Sequence, residues 1–317
     1  MTLSQEIKCK AIEFGFDLVG ITDASPIDNR HIELLSQWLK SGFAGQMSYL
    51  HNNFEKRTHP ALLLKNAQSV ICVGLNYKPL KQNSKPTEPT IPTGKVSSYA
   101  QYEDYHPFIK ERLYKLNEFI SFACGRQHKF KICVDSVPLA ERSLAYKAGL
   151  GFIGKNRMLI NPALGPQIFL GEIITTLKLS TDEPIKHNCS NCDKCISACP
   201  TNALTPDGQF DANRCINYLT IEYKGRIPSD IAKKSGDRIF GCNECIIACP
   251  YQKNAPVCTN KQFKLYNNRA RLDLSRILNL TQRDFDAEFA DSTIRRSGLE
   301  RLKRNAQVCL DNINRSS

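Results

Sequence analysis

Long apolar stretches are missing from this chain of 317 residues. No run approaches the roughly 20 apolar residues that a membrane-spanning helix needs, so the sequence predicts no such helix. Residues 1–8 also lack the basic head and the apolar core of a secretory signal. We therefore expect a cytoplasmic protein without a membrane partner, in a compartment where thiols stay reduced.

Common catalytic signatures are absent as well. The chain has no P-loop, no His-Glu-x-x-His zinc motif and no Ser-His-Asp order. Gly149, Gly151 and Gly154 have the spacing of a dinucleotide fingerprint, but that fingerprint needs a strand before it and a helix after it. Here a helical pattern at 140–148 comes first and a strand pattern follows, so we interpret Gly149 as a helix C-cap. The loop 151–156 can still bring backbone close to a bulky ligand, since glycine has no obstructing side chain.

Cysteine and positive charge are plentiful. The 43 Lys and Arg against 31 Asp and Glu give a net charge of +12, which permits a nucleic-acid partner without requiring one. Hydrophobic residues make up 41% of the chain, enough to bury a core. In a reducing compartment, 14 cysteines are better explained as metal ligands than as disulfides.

Eight of the cysteines lie between residues 189 and 249, and seven of these form two motifs. The first, C-x2-C-x2-C-x3-C-P from Cys189, is the signature of two-cluster ferredoxins, whose fourth cysteine ligates the other cluster. The second, C-x2-C-x3-C-P from Cys242, lacks one cysteine, and Cys215 is the candidate to supply it. The predicted [4Fe–4S] ligands are Cys189, Cys192, Cys195 and Cys249 for the first cluster, and Cys199, Cys215, Cys242 and Cys245 for the second.

Zinc is the alternative to iron–sulfur clusters, because paired C-x2-C motifs also bind zinc. Zinc sites usually group their ligands as two pairs, whereas three cysteines in close series with a Cys-Pro favour iron–sulfur. Two adjacent clusters imply one-electron steps, and therefore a group elsewhere that the electrons reduce. The other six cysteines show no ligand spacing, and we expect most to be small buried hydrophobic residues: Cys9, Cys72, Cys124, Cys133, Cys258 and Cys309.

The hydrophobic pattern predicts mixed helices and strands before residue 180, in an α+β or α/β domain. We expect three parts: a catalytic domain at 1–180, a ferredoxin-like module at 181–260, and a tail at 261–317 that is helical from about 293 to 310. The proline-rich stretch 79–95 is predicted to be a long surface loop. Further helices are expected before residue 17, at 32–40, at 107–123 and from 138, and strands at 17–22, 69–75, 130–134, 158–160 and 168–176.

Three polar positions before residue 180 are candidate site residues. Asp135 follows a strand pattern and can act as a general acid if burial raises its pKa, although on the residues alone a turn or helix-cap role is favoured. Arg57 can bind a phosphate or a carboxamide-rich cofactor, but most surface arginines bind nothing. The segment 104–106, Asp-Tyr-His, can be catalytic, but such residues more often make local hydrogen bonds.

Longer motifs then resemble a known family. They are VDSVPLAER at 134–142, AGLGFIGKN at 148–156, LINP at 159–162, FLGE at 169–172, RCINYLT at 214–220 and CNEC at 242–245. In their residues and in their order along the chain, from about residue 5 to 260, these motifs closely resemble those of the epoxyqueuosine reductase (QueG) family.

This resemblance implies that the chain reduces epoxyqueuosine to queuosine at the wobble position of tRNA, using cobalamin and two [4Fe–4S] clusters. It implies a nitroreductase-like α+β fold for the N-terminal domain. It also implies Asp135 as proton donor, with a pKa raised by apolar surroundings, and Lys224 near tRNA. Cobalamin contacts are implied at Arg57, Ser97, Asp135, Leu159, Leu170 and Cys242.

The resemblance also bears on partners. An external electron donor is expected, and we expect a monomer. Family members often continue into a helical repeat region that grips tRNA, and residues 304–306 look like one helix of it, so tRNA affinity is expected to rest more on the core and loops. The motif Asp-x-His-x-x-Gly, which supplies a histidine to cobalt in some enzymes, is absent, consistent with no protein histidine on the lower face of the cobalamin.

Two other functions remain open at this point. The same electron path can serve FMN in an iron–sulfur flavoprotein that reduces a small molecule. A non-catalytic electron carrier is the third possibility, but a bare carrier needs no domain of 180 residues. A visible spectrum separates the three, since flavin and corrin bands differ from each other and from those of clusters alone.

Overall fold

Helices and strands alternate along the chain in the computed structural model, which describes residues 1–80, 91–125 and 127–316. Within these ranges the strands are β1 Leu18–Asp23, β2 Ser69–Asn76, β3 Thr93–Val96, β4 Phe130–Cys133, β5 Phe152–Ile153, β6 Leu159–Ile160, β7 Ile168–Thr175, β8 Arg238–Phe240 and β9 Arg271–Asp273. The helices are α1 Leu3–Glu13, α2 Asn29–Lys40, α3 Phe54–Thr58, α4 Tyr105–Ala123, α5 Glu141–Lys147, α6 Lys194–Ser197, α7 Ile216–Ile221, α8 Ser229–Ser235, α9 Glu244–Ile247, α10 Pro250–Asn254, α11 Leu274–Asn279, α12 Gln282–Glu288 and α13 Leu299–Ser316. The predicted mixture of helices and strands is confirmed.

A four-stranded antiparallel sheet, in the order β1-β2-β7-β4, forms the centre of the first half of the chain. Its two inner strands are buried along their whole length, so both faces of the sheet are covered. Successive residues of a strand point to opposite faces. In β7, Phe169 and Ile173 join the core under α1 and α4, whereas Leu170 and Ile174 join the core under α5.

A three-stranded sheet, in the order β8-β3-β9, ties the second half of the chain to the first. Strand β3 pairs in parallel with β8 and antiparallel with β9, so each of the three parts anticipated from the sequence contributes one strand. The core beside this sheet joins Val96 and Phe240 to Leu272, Phe285 and Leu302. The parts therefore share a core, and boundaries near residues 180 and 260 stay predictions.

The C-terminal helix α13 is fixed to the middle of the chain by buried hydrogen bonds. The side-chain amide of Asn305, which is 1% exposed, donates to the carbonyl oxygens of Thr220 at 2.8 Å and Ile239 at 2.9 Å. The neighbouring Arg304 donates to carbonyl oxygens of Leu219, Tyr223 and Gly225. These two side chains therefore hold α7 and the segment that follows it.

The secondary structure expected from the sequence is largely confirmed, with local differences. The helix expected from residue 138 begins at Glu141, and the tail helix is divided into a 3-10 helix, Thr293–Ser297, and α13. The predicted loop 79–95 is wrong at its end, where β3 begins at Thr93. Residues 81–90 of that loop lie outside the described residues.

The glycines after α5 have local structural roles. Gly149 follows α5 with φ +75°, as its interpretation as a C-cap requires. A Cβ on Gly151 would lie 2.5 Å from the carbonyl oxygen of Ile160, and one on Gly154 would meet the Ile160 side chain. Close packing within the hairpin formed by β5 and β6 therefore accounts for these two glycines.

Candidate active site

The first group of cysteines lines a cavity. Cys189, Cys192, Cys195 and Cys249 share its wall with Lys155, Asn156, Ile160, Pro250 and Tyr251. The thiols of Cys189, Cys192 and Cys249 are close enough to Cys195 for their charges to raise its pKa, after the larger effect of burial. The backbone N–H of Lys155 donates to the sulfur of Cys189 at 3.4 Å. The glycine-rich loop before Lys155 thus ends against this group.

The second group lies beside the first. Burial raises the pKa of Cys215 to about 11, and Cys242 and Cys199 add to the shift through their charges. Burial also raises the pKa of Cys245, with smaller effects from the other three members of its group and from Cys195 of the first. The charges of the thiols within each predicted set therefore act on one another, and the assignment of the eight cysteines to two clusters stays a prediction.

Within the described ranges, no three or more Cys, His, Asp or Glu side chains are arranged so that they could hold a single metal ion. All 14 cysteines are free thiols. Of the six outside the two groups, Cys72, Cys133 and Cys309 are buried and Cys124 and Cys258 are partly buried. The expectation of buried hydrophobic residues is wrong for Cys9, which is exposed on α1.

A histidine between two carboxylates forms a separate polar site. Asp104 is the N-cap of α4 and accepts the backbone N–H of His106 at 2.9 Å. The same carboxylate lies 2.6 Å from Nδ1 of His106, while Nε2 lies 3.3 Å from Oδ2 of Asp135. Tyr105 stacks on the His106 ring at 4.1 Å between centroids. The N-terminal turn of α4 thus aims an imidazole at the loop that follows β4.

The electrostatics of this site contradict one expectation. The hydrogen bond from His106 lowers the pKa of Asp135, against a smaller opposing effect of burial. The direction is opposite to the expected rise because the His106 hydrogen bond and the charges of His106, Arg296 and Arg142 stabilise the carboxylate more than burial destabilises it. Burial lowers the pKa of His106, but hydrogen bonds to Asp104 and Asp135 outweigh it and raise the pKa to about 9. At neutral pH the proton therefore resides on His106, and Asp135 is ionised.

Arg296 connects the tail to this site. It lies in the 3-10 helix Thr293–Ser297, and its Nη1 is 3.4 Å from Oδ2 of Asp135. Its Nε donates to Glu222 at 2.8 Å, just after α7. Sequence reasoning missed Arg296, because no motif marks it and 161 residues separate it from Asp135.

Two acidic residues behind Asp135 were also missed. The backbone N–H of Asp135 donates to Oε1 of Glu141 at 2.5 Å, and Glu172 lies buried on β7 nearby. Both residues belong to motifs already quoted, VDSVPLAER and FLGE, so their positions were marked without a role. The signal that sequence could have offered is a glutamate in a strand that otherwise reads as apolar.

The residues predicted to contact a cofactor fall into three places. Arg57 faces Asp135, and its Nε is buried without a hydrogen-bond partner among the described residues. Ser97 donates to Asn243 at 2.5 Å, beside Cys242 of the second cysteine group. Leu159 and Leu170 are buried in the core under α5.

Charges from both the acid site and the second cysteine group act on two tyrosines, the partly buried Tyr99 and the buried Tyr77. Burial raises the pKa of Tyr99, and the charges of Tyr77, Arg296 and Asp135 have smaller effects on it. Tyr77 in turn senses the charge of Cys245. Lys224, predicted to lie near nucleic acid, is exposed, with its backbone N–H bound to Gln46 at 3.0 Å.

Two family models match this chain. Residues 57–136 match the model described as "Epoxyqueuosine reductase QueG, DUF1730", and residues 188–252 match a "4Fe-4S double cluster binding domain". The second match covers all eight grouped cysteines, and so the iron–sulfur interpretation over zinc is confirmed at the level of the domain.

Known proteins are similar along almost the whole chain. An epoxyqueuosine reductase of Vibrio cholerae is 36% identical over 310 residues, which cover 98% of this chain and 83% of the relative. A crystal structure of an epoxyqueuosine reductase with an epoxyqueuosine-modified tRNA-Tyr stem loop matches with a TM-score of 0.90 at 30% identity, over 98% of this chain and 81% of the other. A Bacillus subtilis epoxyqueuosine reductase, solved with its catalytic aspartate loop swung out of the active site, matches with the same score, identity and coverage.

Proposed function

Because this chain belongs to the epoxyqueuosine reductase family, we propose that it reduces epoxyqueuosine to queuosine at the wobble position of tRNA. The observation that carries the proposal is the match, over 98% of this chain, to a reductase solved with its modified tRNA stem loop. The reaction converts an epoxide to an alkene, and it consumes two electrons and two protons while releasing one water. The two groups of cysteines are suited to supply the electrons, and protonated His106 is suited to supply a proton.

The electrons enter through the clusters that the two groups of cysteines would hold. The donor set is eight thiols in two neighbouring groups, and soft thiolates in fours are the ligands of [4Fe–4S] clusters. We assign the first cluster to Cys189, Cys192, Cys195 and Cys249, and the second to Cys199, Cys215, Cys242 and Cys245. An external protein or chemical reductant supplies the electrons one at a time, as in the expectation from the sequence.

We propose that cobalamin binds between the second cluster and Asp135. The buried, unpartnered Nε of Arg57 is a donor that a carboxamide or phosphate oxygen of cobalamin would satisfy. Ser97, Leu159, Leu170 and the segment at Cys242 are its other proposed contacts. When bound, cobalamin would supply a strongly reducing, nucleophilic cobalt centre.

The proton for the departing oxygen comes from the pair formed by His106 and Asp135. Of this pair, Asp135 is the group that faces Arg57 and Arg296. A B. subtilis relative has a catalytic aspartate loop, and we propose that Asp135 is the counterpart of that aspartate. Since Asp135 is ionised at rest, His106 holds the proton at Nε2 and passes it through the carboxyl to the substrate oxygen. Asp135 therefore acts as the proton donor and His106 recharges it.

The assignment extends to the rest of the chain. Residues 1–180 form the cobalamin-binding domain, which we propose to be nitroreductase-like, 181–260 the cluster module, and 261–317 a helical tail. No helix within the described ranges is both long and apolar enough to cross a membrane. We propose a cytoplasmic monomer that binds the anticodon stem-loop, with Lys224 among its phosphate contacts.

Anaerobic reconstitution tests the function. The full chain is loaded with iron, sulfide and cobalamin, and incubated with epoxyqueuosine-containing tRNA and a strong reductant. Mass analysis of the digested nucleosides should show loss of epoxyqueuosine and gain of queuosine, each dependent on cobalamin. A preparation that carries both clusters and cobalamin but leaves epoxyqueuosine unchanged contradicts the proposal, and a flavin spectrum would favour a small-molecule reductase instead.

A further inference from the structure

Asp135 has a backbone conformation that an L-residue adopts only at a cost. Its φ is +52°, in the left-handed region, which aspartate enters more readily than most L-residues but still at a cost. The following N–H, of Ser136, turns back to the carbonyl oxygen of Val134 at 2.5 Å. Such a conformation persists only where surrounding groups hold it.

The group that holds it is a carboxylate. The N–H of Asp135 donates to Oε1 of Glu141 at 2.5 Å. Glu141 is in the first turn of α5 and is partly buried, so its position follows from the packing of that helix on the central sheet. The hydrogen bond to a charged acceptor is stronger than one to a neutral acceptor, and it fixes the backbone from which the Asp135 carboxyl projects.

A second carboxyl lies behind Glu141. Glu172 is 0% exposed, on the face of β7 that packs under α5, and it pairs across the sheet with Cys72 and Cys133. No donor among the described residues reaches either oxygen of Glu172 by ordinary hydrogen-bond geometry. The group within reach is the carboxyl of Glu141, which is an acceptor too unless one of the two carries a proton.

The surroundings decide which of the two is neutral. Burial, and then the charges of Glu141 and Asp135, raise the pKa of Glu172 far above its usual range. Burial and the charge of Asp135 raise the pKa of Glu141 to about 7. The hydrogen bond from the backbone N–H of Asp135 and the charge of Arg142 oppose this rise, because they stabilise the ionised form of Glu141. Glu172 is therefore the protonated member, and its O–H has Glu141 as acceptor. The titratable and charged groups that face the pair are Arg57, Cys72, Tyr105, His106, Cys133, Asp135 and Arg142.

We propose that Glu141 is a positioning residue for the proton donor Asp135, and that neutral Glu172 holds Glu141 in place by donating its proton to it. The contacts run from Glu172 on the buried sheet through Glu141 on α5 to the turn at Asp135. The sheet therefore determines the position of the Asp135 carboxyl. The proposal rests on the proposed function only in that it takes Asp135 as the acid. The arrangement also explains why a strand that is buried along its length carries a carboxyl that no basic side chain of the described residues contacts.

Paired substitutions test the proposal on the loaded enzyme. Glu172→Gln keeps an N–H donor for Glu141, and we expect its kcat to stay within about threefold of wild type. Glu172→Met has similar bulk and no donor, and we expect kcat to fall about tenfold or more, with the KM for tRNA unchanged. Glu141→Gln keeps an oxygen acceptor for the Asp135 N–H, and Glu141→Ala removes it, so the second should lose far more kcat. A purely structural role predicts no such rescue by glutamine.

Two readouts do not depend on activity. Amide hydrogen exchange in the peptide that carries Asp135 should be about tenfold faster in Glu141→Ala than in Glu141→Gln, measured without cobalamin. The infrared C=O stretch of a protonated carboxylic acid at about pH 9, where Glu141 with its pKa of about 7 is ionised, should be present in the wild type and absent in Glu172→Gln. The melting temperature of each variant shows whether it folds.

Three results would overturn the proposal. They are wild-type kcat in Glu172→Met, equal losses of kcat in Glu172→Gln and Glu172→Met, and unchanged exchange at Asp135 in Glu141→Ala. If Glu172→Met does not fold, the Glu141 pair and the infrared band still decide. If Asp135 itself proves dispensable for turnover, the proposed acid role fails, while exchange and the infrared band report separately on the two glutamates.

Discussion

Nε2 of His106 lies 3.3 Å from Oδ2 of Asp135, and the other ring nitrogen lies 2.6 Å from Asp104. An imidazole between two carboxylates keeps its proton to higher pH than a free imidazole, which is why the pKa of His106 rises to about 9. The pair therefore stores one proton beside Asp135 at neutral pH. This relationship supplies the first two predictions.

Removing either member of the pair should slow the reaction without weakening substrate binding. We expect His106→Gln and Asp135→Asn each to lower kcat about 100-fold or more, the scale of lost general acid catalysis, with the KM for tRNA nearly unchanged. Single-turnover assays with cobalamin and both clusters loaded give both constants. The control is Gln307→Ala on the exposed face of α13. Full turnover by Asp135→Asn would show that this carboxyl is not the acid.

The pH dependence follows from the direction of the His106 shift. Because its pKa is raised in the folded protein, the stored proton and the stability it confers are fully present below about 6.5 and lost as the pH rises through about 9. We expect kcat to fall on the alkaline side with an apparent pKa near 9. In His106→Gln this limb should vanish from the profile. A wild-type kcat that rises or stays flat between pH 8 and about 10 would contradict the stored proton.

Iron content tests the division of the thiols. We expect Cys215→Ser to lower reconstituted iron from about eight atoms to about four per chain, because serine is a poor ligand for the second cluster. Cys189→Ser should have the same effect through the first. Cys9→Ser, at an exposed cysteine outside both groups, should keep about eight atoms. Equal iron in Cys215→Ser and Cys9→Ser would remove Cys215 from the ligand set.

Local patterns predicted the mixture of helices and strands and the iron–sulfur domain, for a physical reason. Strand and helix periodicity at 69–75 and 107–123 reflects burial along one element, and cysteine spacing reflects how a short loop wraps one cluster. The acid site could not be predicted in this way, since Arg296 and His106 approach Asp135 only after the chain has folded. The pKa direction at Asp135 was missed for the same reason, because it depends on cations contributed by distant elements.

Nucleic-acid binding should depend on salt. Phosphate contacts release counterions, so the affinity for the anticodon stem-loop should fall as salt rises, with a log–log slope of about −0.7 for each contact. We expect Lys224→Ala to reduce the magnitude of the slope by about 0.7 without changing kcat at saturating tRNA. Lys115→Ala, at an exposed lysine on α4 that pairs with Glu111, is the matched control. Fluorescence anisotropy over a salt series measures both, and equal slopes in the two variants would place Lys224 outside the contact surface.

The hydrogen bonds of Asn305 should make the tail a stabilising part of the fold. Asn305→Ala leaves the buried carbonyl oxygens of Thr220 and Ile239 without this donor, and each unsatisfied group costs about 1–3 kcal/mol. We therefore expect the free energy of unfolding to fall by about 2–4 kcal/mol, measured by denaturant titration of the reconstituted protein. The second cluster should become more labile as well, because the same Thr220 accepts the N–H of Gly241 next to Cys242.

Gln307→Ala is the matched control for this last prediction. Gln307 lies two residues further along α13 but is exposed and bonds only to Asp311 among the contacts seen, so its loss should cost less than about 0.5 kcal/mol. If the tail were merely an appendage, Asn305→Ala and Gln307→Ala would have the same denaturation midpoint and retain iron equally. A large difference in stability with unchanged iron retention would instead confine the role of Asn305 to packing of α13. Loss of both in Asn305→Ala alone is the result expected from its two buried bonds.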